Sequence, residues 1–196
     1  MKKGPDCNLV LSTHPYIGVE TSQGGFTNND YIERIHFNGA EVAVLPDNID
    51  LPNRQQLYAV LASVGMPDTD IATTTYVTID TVKTGLTRAF GSLGIARRMQ
   101  IAPTLIDVRG FQIDQQGKLL GLSVTETPVV ALFASGLTNQ QVGRQLDRSD
   151  YTIKTHLSRI CSRTGLASRA AIVFGALLSG EILPPECVVD TVTPSW

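Results

Sequence analysis

An internal repeat constrains this chain more than any other feature of its sequence. A shift of 71 positions aligns residues 51–111 with residues 122–182 without a gap, and about one position in five is identical. The matches are mostly apolar, glycine or basic residues, among them Leu51 with Leu122, Gly65 with Gly136, Leu86 with Leu157, Gly94 with Gly165 and Arg98 with Arg169. We therefore predict that one structural unit occurs twice in tandem.

The apolar spacing predicts four short helices in each copy. In the second copy they cover about residues 125–135, 138–146, 149–163 and 169–178. Glycines end the first and third of these helices, and Thr138, Ser149 or Asp150, and Ser168 are the candidate N-caps. The second and third helices share an apolar face, which predicts that they pack against each other.

A β-hairpin is predicted ahead of each helical unit. The first has Asn38-Gly39 at its turn, between residues 35–37 and 42–44, and the second spans residues 111–120. The predicted fold class is mainly α with small β-hairpins, as two tandem four-helix units. The predicted segments are 1–50 (strands and hairpin), 51–107 (first unit), 108–121 (hairpin connector), 122–182 (second unit) and 183–196 (tail).

Composition excludes several classes of protein. No apolar run approaches the roughly 20 residues that cross a bilayer, and no apolar segment of signal-peptide length follows the N-terminal lysines, so we expect a cytoplasmic protein. Cys7, Cys161 and Cys187 lie too far apart for a zinc site or a disulfide framework. Since no nucleophile or phosphate-loop pattern occurs either, we expect no enzyme activity, no cofactor and no metal.

Charge is distributed unevenly along the chain. The net charge is −2, yet residues 51–111 and 122–182 each carry six basic and four acidic residues, whereas residues 1–50 carry three basic and seven acidic ones. The two predicted helical units are therefore mildly basic between acidic flanks. This distribution is compatible with binding to phosphates, although the total charge is not typical of a nucleic-acid-binding protein.

The second and third helices of the second unit are predicted to form a helix-turn-helix. A short helix, a tight turn and a second helix with a polar outer face is the arrangement that places a helix in the major groove of DNA. The predicted DNA-binding residues of that helix are Thr152, Lys154, Thr155, His156, Ser158 and Arg159. Hydroxyl groups and cations of this kind suit phosphates and base edges.

The second unit resembles the LuxR-type (GerE-like) helix-turn-helix domain. The motifs that carry the resemblance are Leu122-Ser123-x-Thr125-Glu126, Gly136-Leu137-Thr138-Asn139-Gln140-Gln141-Val142, Ser149-x-x-Thr152-Ile153-Lys154-x-His156 and Gly165-Leu166-Ala167-Ser168-Arg169. The resemblance implies that the third helix reads DNA, with Lys154, Thr155 and Ser158 at the usual contact positions, and that the fourth helix forms a dimer contact. Gly143 stands where the family commonly has Ala, which should weaken its helix by roughly 1 kcal/mol.

The first unit looks like a diverged copy of the same domain. Its candidate contact residues are Lys83, Thr84, Thr87 and Arg88. Gly85 replaces the family's His, and Pro103 falls in the fourth helix, where proline costs about 3 kcal/mol or forces a kink. Asp68 and Asp70 add negative charge to its second helix. Direct DNA contact and a purely structural or partner-binding role both remain open for this unit.

These features predict a sequence-specific double-stranded DNA-binding regulator of bacterial transcription with no recognisable sensor domain. Two linked units could act as a built-in pseudo-dimer, or two chains could form a homodimer through their fourth helices. RNA polymerase or another transcription factor is a possible further partner. The alternative is a protein-binding regulator that keeps the fold without reading DNA, which the acidic total charge and the diverged first unit favour.

Overall fold

A computed structural model of the protein describes residues 51–105 and 120–185 together with the backbone of four strands between residues 9 and 42. Helices dominate the two longer ranges. The helices are α1 (Asn53–Ser63), α2 (Asp68–Thr74), α3 (Ile79–Leu93), α4 (Ile101–Leu105), α5 (Thr127–Ala134), α6 (Asn139–Gln145), α7 (Asp150–Thr164) and α8 (Arg169–Leu178), with a 3₁₀ turn at Arg98–Gln100 before α4. No helix within these ranges has the length and apolar character needed to cross a membrane.

The four strands form one antiparallel sheet in the order β1 (Leu9–Val10), β2 (Ile17–Thr21), β3 (Ile32–Phe37) and β4 (Ala40–Val42). Strands β3 and β4 pair with Phe37 opposite Ala40 and Ile35 opposite Val42. They fall on either side of Asn38-Gly39, which itself lies outside the described residues. The second predicted hairpin, at residues 111–120, lies outside them up to residue 119, so a hairpin ahead of each helical unit remains a prediction.

Side-chain caps fix where the helices begin. Thr78, Thr138, Ser149 and Ser168 each accept a hydrogen bond from the backbone N–H three residues later, which satisfies one of the free donors at a helix start. The N-caps predicted for α6, α7 and α8 are confirmed, with Ser149 rather than Asp150 capping α7. Gly165 adopts the left-handed conformation that ends α7, as the sequence predicted.

The helix bounds in the two ranges repeat at the spacing found in the sequence. Helices α2 and α6 begin 71 positions apart, α3 and α7 both begin and end 71 positions apart, and each of the latter pair has 15 residues. The turns that precede α3 and α7 also match, because Tyr76 and Asp147 both have positive φ, at 55° and 51°. Residues 68–93 and 139–164 therefore share the bounds of their second helix and the positive φ of the turn before it.

The fourth helices differ. Helix α8 has ten residues, whereas the first segment has a 3₁₀ turn followed by the five residues of α4. Pro103 lies in the first turn of α4, where backbone N–H groups have no acceptor within the helix, so its missing donor costs little. The expected penalty of about 3 kcal/mol is therefore wrong; the helix is short instead.

One hydrophobic core joins the two segments. Helix α8 contacts α5 and α7 of its own segment and also α1, α4 and the 3₁₀ turn of the first segment. Every residue of α8 from Ala170 to Leu178 is buried as a result. The fourth helix is thus covered on all sides within a single chain.

Equivalent contacts occur twice at the junction, that is, where the two segments pack against each other. An added Cβ at Gly65 would lie 2.7 Å from the Cβ of Ala171, and one at Gly136 would lie 2.5 Å from the Cδ of Gln100. Positions 65 and 136 are 71 apart, and so are positions 100 and 171. In each segment, the glycine after the first helix therefore lies against the other segment, at the start of that segment's fourth helical region.

Candidate nucleic-acid interface

The turn between α6 and α7 depends on a close backbone approach at Gly143. The N–H of Arg148 donates to the carbonyl of Gly143 at 2.8 Å, and an added Cβ at Gly143 would lie 2.6 Å from the Arg148 carbonyl oxygen. Since a Cβ cannot sit that close to a backbone oxygen, an alanine would displace the turn. Beyond the cost to its helix that the sequence predicts, Gly143 therefore allows the tight turn.

Helix α7 has one apolar and one polar face. Ile153, Leu157 and Ile160 are buried against the core, and α6 packs beside them. Ion pairing holds the other end of the helix, where Arg163 donates to the buried carboxylate of Glu126 at 2.9 Å. The helix is therefore anchored along its inner face while its outer face remains open.

The predicted DNA-binding residues of α7 differ in how freely their side chains project. Lys154, Ser158 and Arg159 are exposed, whereas Thr152, Thr155 and His156 are half-buried. The hydroxyls of Thr152 and Ser149 lie 2.9 Å apart, within the N-terminal cap of the helix. The Thr152 side chain therefore helps to position the helix, and Lys154, Ser158 and Arg159 are the freest to meet a ligand.

Sequence reasoning missed Tyr151 on this surface. Its side chain is 79% exposed, and it lies three and four positions before Lys154 and Thr155, so all three share one side of the helix. The same spacing was readable from the sequence and would have found it. Arg144 and Arg148, on α6 and in the turn, are also exposed and add two cations beside the start of α7.

Lys154 is paired in the unbound protein. Its Nζ lies 2.6 Å from the Oδ2 of Asp150, and solvent reaches 62% of the Lys154 side chain and 42% of the Asp150 side chain. An exposed pair of this kind contributes little free energy. The ammonium group can therefore turn to another anion at low cost, while Asp150 keeps its favourable place at the positive end of the helix dipole.

Glu126 and Glu181 hold the start of the second segment. Burial raises the pKa of Glu126, but hydrogen bonds from Arg163 and Ser123 outweigh it, so the pKa lies below the ordinary 4.5. The two carboxylate oxygens of Glu181 accept the N–H groups of Leu120 and Leu122 at 2.7 and 2.6 Å. These carboxylates tie residues 120–126 to α7 and α8.

In the first segment, all four predicted contact residues of α3 are exposed: Lys83, Thr84, Thr87 and Arg88. Packing explains why a glycine stands at position 85, because an added Cβ at Gly85 would lie 2.6 Å from the ring of Tyr58 on α1. An open cavity of about 430 Å³ lies beside this contact, lined by residues of α1 and α3 that include Arg54 and Arg88.

The negative charge predicted on α2 is partly neutralised. Asp68 forms an ion pair with Arg98 at 2.5 Å, and Arg98 also donates to the carbonyl of Met66. At the positions 71 residues later, the Arg169 guanidinium donates a hydrogen bond to the side-chain amide oxygen of Asn139 at 3.0 Å. The acceptor there is uncharged. Among the residues that the structure describes, no cation forms an ion pair with Asp70, the other carboxylate of α2.

Comparison with known proteins places the second segment in a family. Residues 120–176 match the family described as bacterial regulatory proteins, luxR family, so this segment is similar to the LuxR-type helix-turn-helix domain. An HTH-type transcriptional regulator of Mycobacterium bovis is 39% identical over 60 residues, which cover 31% of this chain and 7% of that protein.

A second relative reaches further along the chain. The DNA-binding transcriptional activator DevR/DosR of Mycobacterium tuberculosis is 30% identical over 116 residues, which cover 57% of this chain and 53% of the relative. The chain thus spans from less than a tenth to about half of the length of these relatives. No solved structure matches it significantly.

Proposed function

We propose that this protein is a sequence-specific double-stranded DNA-binding regulator of bacterial transcription that acts in the cytoplasm. The observation that carries the proposal is the outer face of α7, which is polar, exposed and anchored from behind by a buried apolar face. A helix of this kind, following a tight turn, fits the major groove, which is about 12 Å wide. The relatives named as transcriptional regulators support the same function.

The side chains of this face divide into two proposed roles. Lys154 and Arg159, with Arg144 and Arg148 beside them, supply positive charge for phosphates and for acceptor groups on base edges. Ser158 supplies a hydroxyl group that donates or accepts, whereas the Thr155 hydroxyl donates to the Tyr151 carbonyl at 2.9 Å and offers its lone pairs as acceptors. Half-buried His156 lies at the edge of the face. Thr152 acts mainly through the cap of the helix.

We also propose that the helical units are duplicated, with the bounds 51–107 and 122–182 joined by a connector at 108–121. The matching bounds of α3 and α7, the matching positive φ before each, and the recurring fourth-helix contacts support this proposal. Residues 1–50 and 183–196 flank the two units. In the first unit, Lys83, Thr84, Thr87 and Arg88 are the proposed counterparts of the reading face.

The protein-binding alternative is less well supported by this surface. A docking site for a partner helix needs a continuous apolar groove, whereas Tyr151 is the single large apolar side chain of α7 that is mostly exposed. RNA polymerase or another transcription factor could still be contacted elsewhere while DNA is bound. A homodimer through the fourth helices is disfavoured, because the first segment already covers α8.

Two opposite substitutions on one ion pair test the proposal. Lys154→Ala should weaken binding to a selected duplex by about 1 to 3 kcal/mol. Asp150→Asn should strengthen binding, because it removes a negative charge from the groove edge and releases Lys154. Fluorescence anisotropy measures both affinities, and thermal melting checks that both variants stay folded. Unchanged binding by both variants would reject α7 as the reading helix.

A further inference from the structure

We infer that one chain presents two inequivalent reading helices, α3 and α7, and so reads a non-palindromic operator without pairing with a second copy. The inference rests on the proposed function and goes further, because it gives the form of the operator and the number of chains on it. Three observations carry it: the symmetry of the junction, the coverage of α8, and the difference between the two outer faces.

The junction has the contact pattern of a two-fold dimer. In a two-fold interface, a contact between positions i and j is repeated between j and i of the partner. Here Gly65 contacts Ala171, and Gly136 contacts Gln100. Because residues 65 and 136 correspond, and residues 100 and 171 correspond, this is one contact made twice with the two segments exchanged. Likewise, α1 contacts α8 while α5 contacts the 3₁₀ turn before α4. These reciprocal contacts are those expected of two segments related by an approximate two-fold rotation within one chain.

This junction occupies the surface that a second chain would need. Helix α8 is buried from Ala170 to Leu178 by helices of both segments. Another copy cannot pair through α8 unless the first segment leaves it and exposes the shared core. A pseudo-two-fold arrangement would place α3 and α7 on two inverted half-sites of one duplex. The two recognition helices of a helix-turn-helix dimer bind DNA in the same way.

The two readers present different chemistry. On α7, the exposed positions 151, 154 and 158 are Tyr, Lys and Ser; 71 positions earlier on α3 they are Asp80, Lys83 and Thr87. Arg144 and Arg148 have the uncharged counterparts Thr73 and Val77. The half-site read by α7 should therefore be bound more tightly and have a different base sequence. An operator with two different halves has a direction, which a palindrome lacks.

The test begins with selection of a random duplex pool by the full chain, followed by measurement of the mass of the protein–DNA complex by light scattering. We expect an enriched site with two unlike half-sites in inverted orientation, about one helical turn apart or a multiple of it. We expect one chain per duplex. A duplex that repeats the α7 half-site as a perfect palindrome should bind one chain more weakly than the selected site.

Matched variants assign the half-sites. Lys154→Ala and Lys83→Ala each remove one exposed cation at the same position of the two helices. Each should lower affinity about 5- to 150-fold and relax base preference in one half-site only. The loss should be larger for Lys154→Ala, because more cations surround α7.

The outcomes separate this inference from the proposed function. A palindromic site with two chains per duplex, or a single half-site that Lys83→Ala leaves unchanged, would overturn the inference while DNA reading stands. No enrichment of any sequence would overturn the proposed function itself. Two unlike half-sites bound by one chain, each relaxed by its own variant, would establish both.

Discussion

Substitution of Gly65 by alanine tests whether the first segment is packed against α8. Gly65 has φ of +93°, and an added Cβ would lie 2.4 Å from the Oγ of Ser168 and 2.7 Å from the Cβ of Ala171. The variant therefore meets two obstacles, a backbone conformation that L residues rarely adopt and a steric overlap across the junction. Gly94 offers a matched control, because its φ is +66° and an added Cβ would meet no atom of the described residues within 4 Å.

The expected losses of unfolding free energy follow from the backbone conformation and the steric overlap. Gly94→Ala carries the conformational cost alone, about 1 to 2 kcal/mol. Gly65→Ala carries at least that cost, and overpacking of a closed core adds about 1 to 3 kcal/mol. Gly136→Ala should fall between them, because its φ of +85° is close to that of Gly65 while the three atoms nearest its added Cβ belong to the end of the Gln100 side chain rather than to backbone.

Urea unfolding at equilibrium measures the three free energies, with circular dichroism at 222 nm as the readout. The expected order of destabilisation is Gly65→Ala, then Gly136→Ala, then Gly94→Ala, with one cooperative transition for the wild type because one core joins both segments. A Gly65→Ala loss no larger than that of Gly94→Ala would refute the packing of residue 65 against α8. Two separate transitions would refute the shared core.

Three further predictions concern the second segment. The pKa of Glu126 is depressed in the folded state, so its ion pair with Arg163 stabilises the protein above pH 4.5. This stabilisation is lost as the pH falls through the folded-state pKa. The free energy of unfolding should therefore fall more steeply with acid in the wild type than in Glu126→Gln, and equal slopes would contradict this. Gly143→Ala should lower the melting temperature although alanine favours helix, because its Cβ would overlap the Arg148 carbonyl; a raised melting temperature would show that the turn relaxes freely. Ser149→Ala should cost about 1 kcal/mol in urea unfolding through loss of the cap of α7, and no loss would mean that the cap is replaced.

Local chemistry explains why the helices of the second segment were predictable. Thr138, Ser149 and Ser168 are side chains that cap helices, Gly165 is a residue that ends them, and the apolar spacing between them marks the buried face. These signals act over a few residues and appear directly in the sequence. The start and end of α8 agree with the prediction, and those of α6 and α7 agree within one residue.

Contacts between distant residues were not predictable in the same way. The role of Gly143 depends on where the Arg148 carbonyl lies, and that of Gly85 depends on the ring of Tyr58, 27 positions earlier. The coverage of α8 by the first segment likewise arises from tertiary packing, which the helix pattern does not encode. Tyr151, by contrast, lies at a helical spacing that the sequence shows, but its side chain is neither a cation nor an aliphatic hydroxyl, the two groups that mark the other contact residues.

The most direct test of the central claim is the salt dependence of binding to a selected duplex, measured by fluorescence anisotropy for the wild type and for Lys154→Ala. The account predicts that the wild type prefers the selected duplex to a scrambled one and that log K falls linearly with log salt. It also predicts a shallower slope or a lost preference for Lys154→Ala. Equal affinity for selected and scrambled duplexes, with no effect of Lys154→Ala, would contradict the claim that α7 reads DNA.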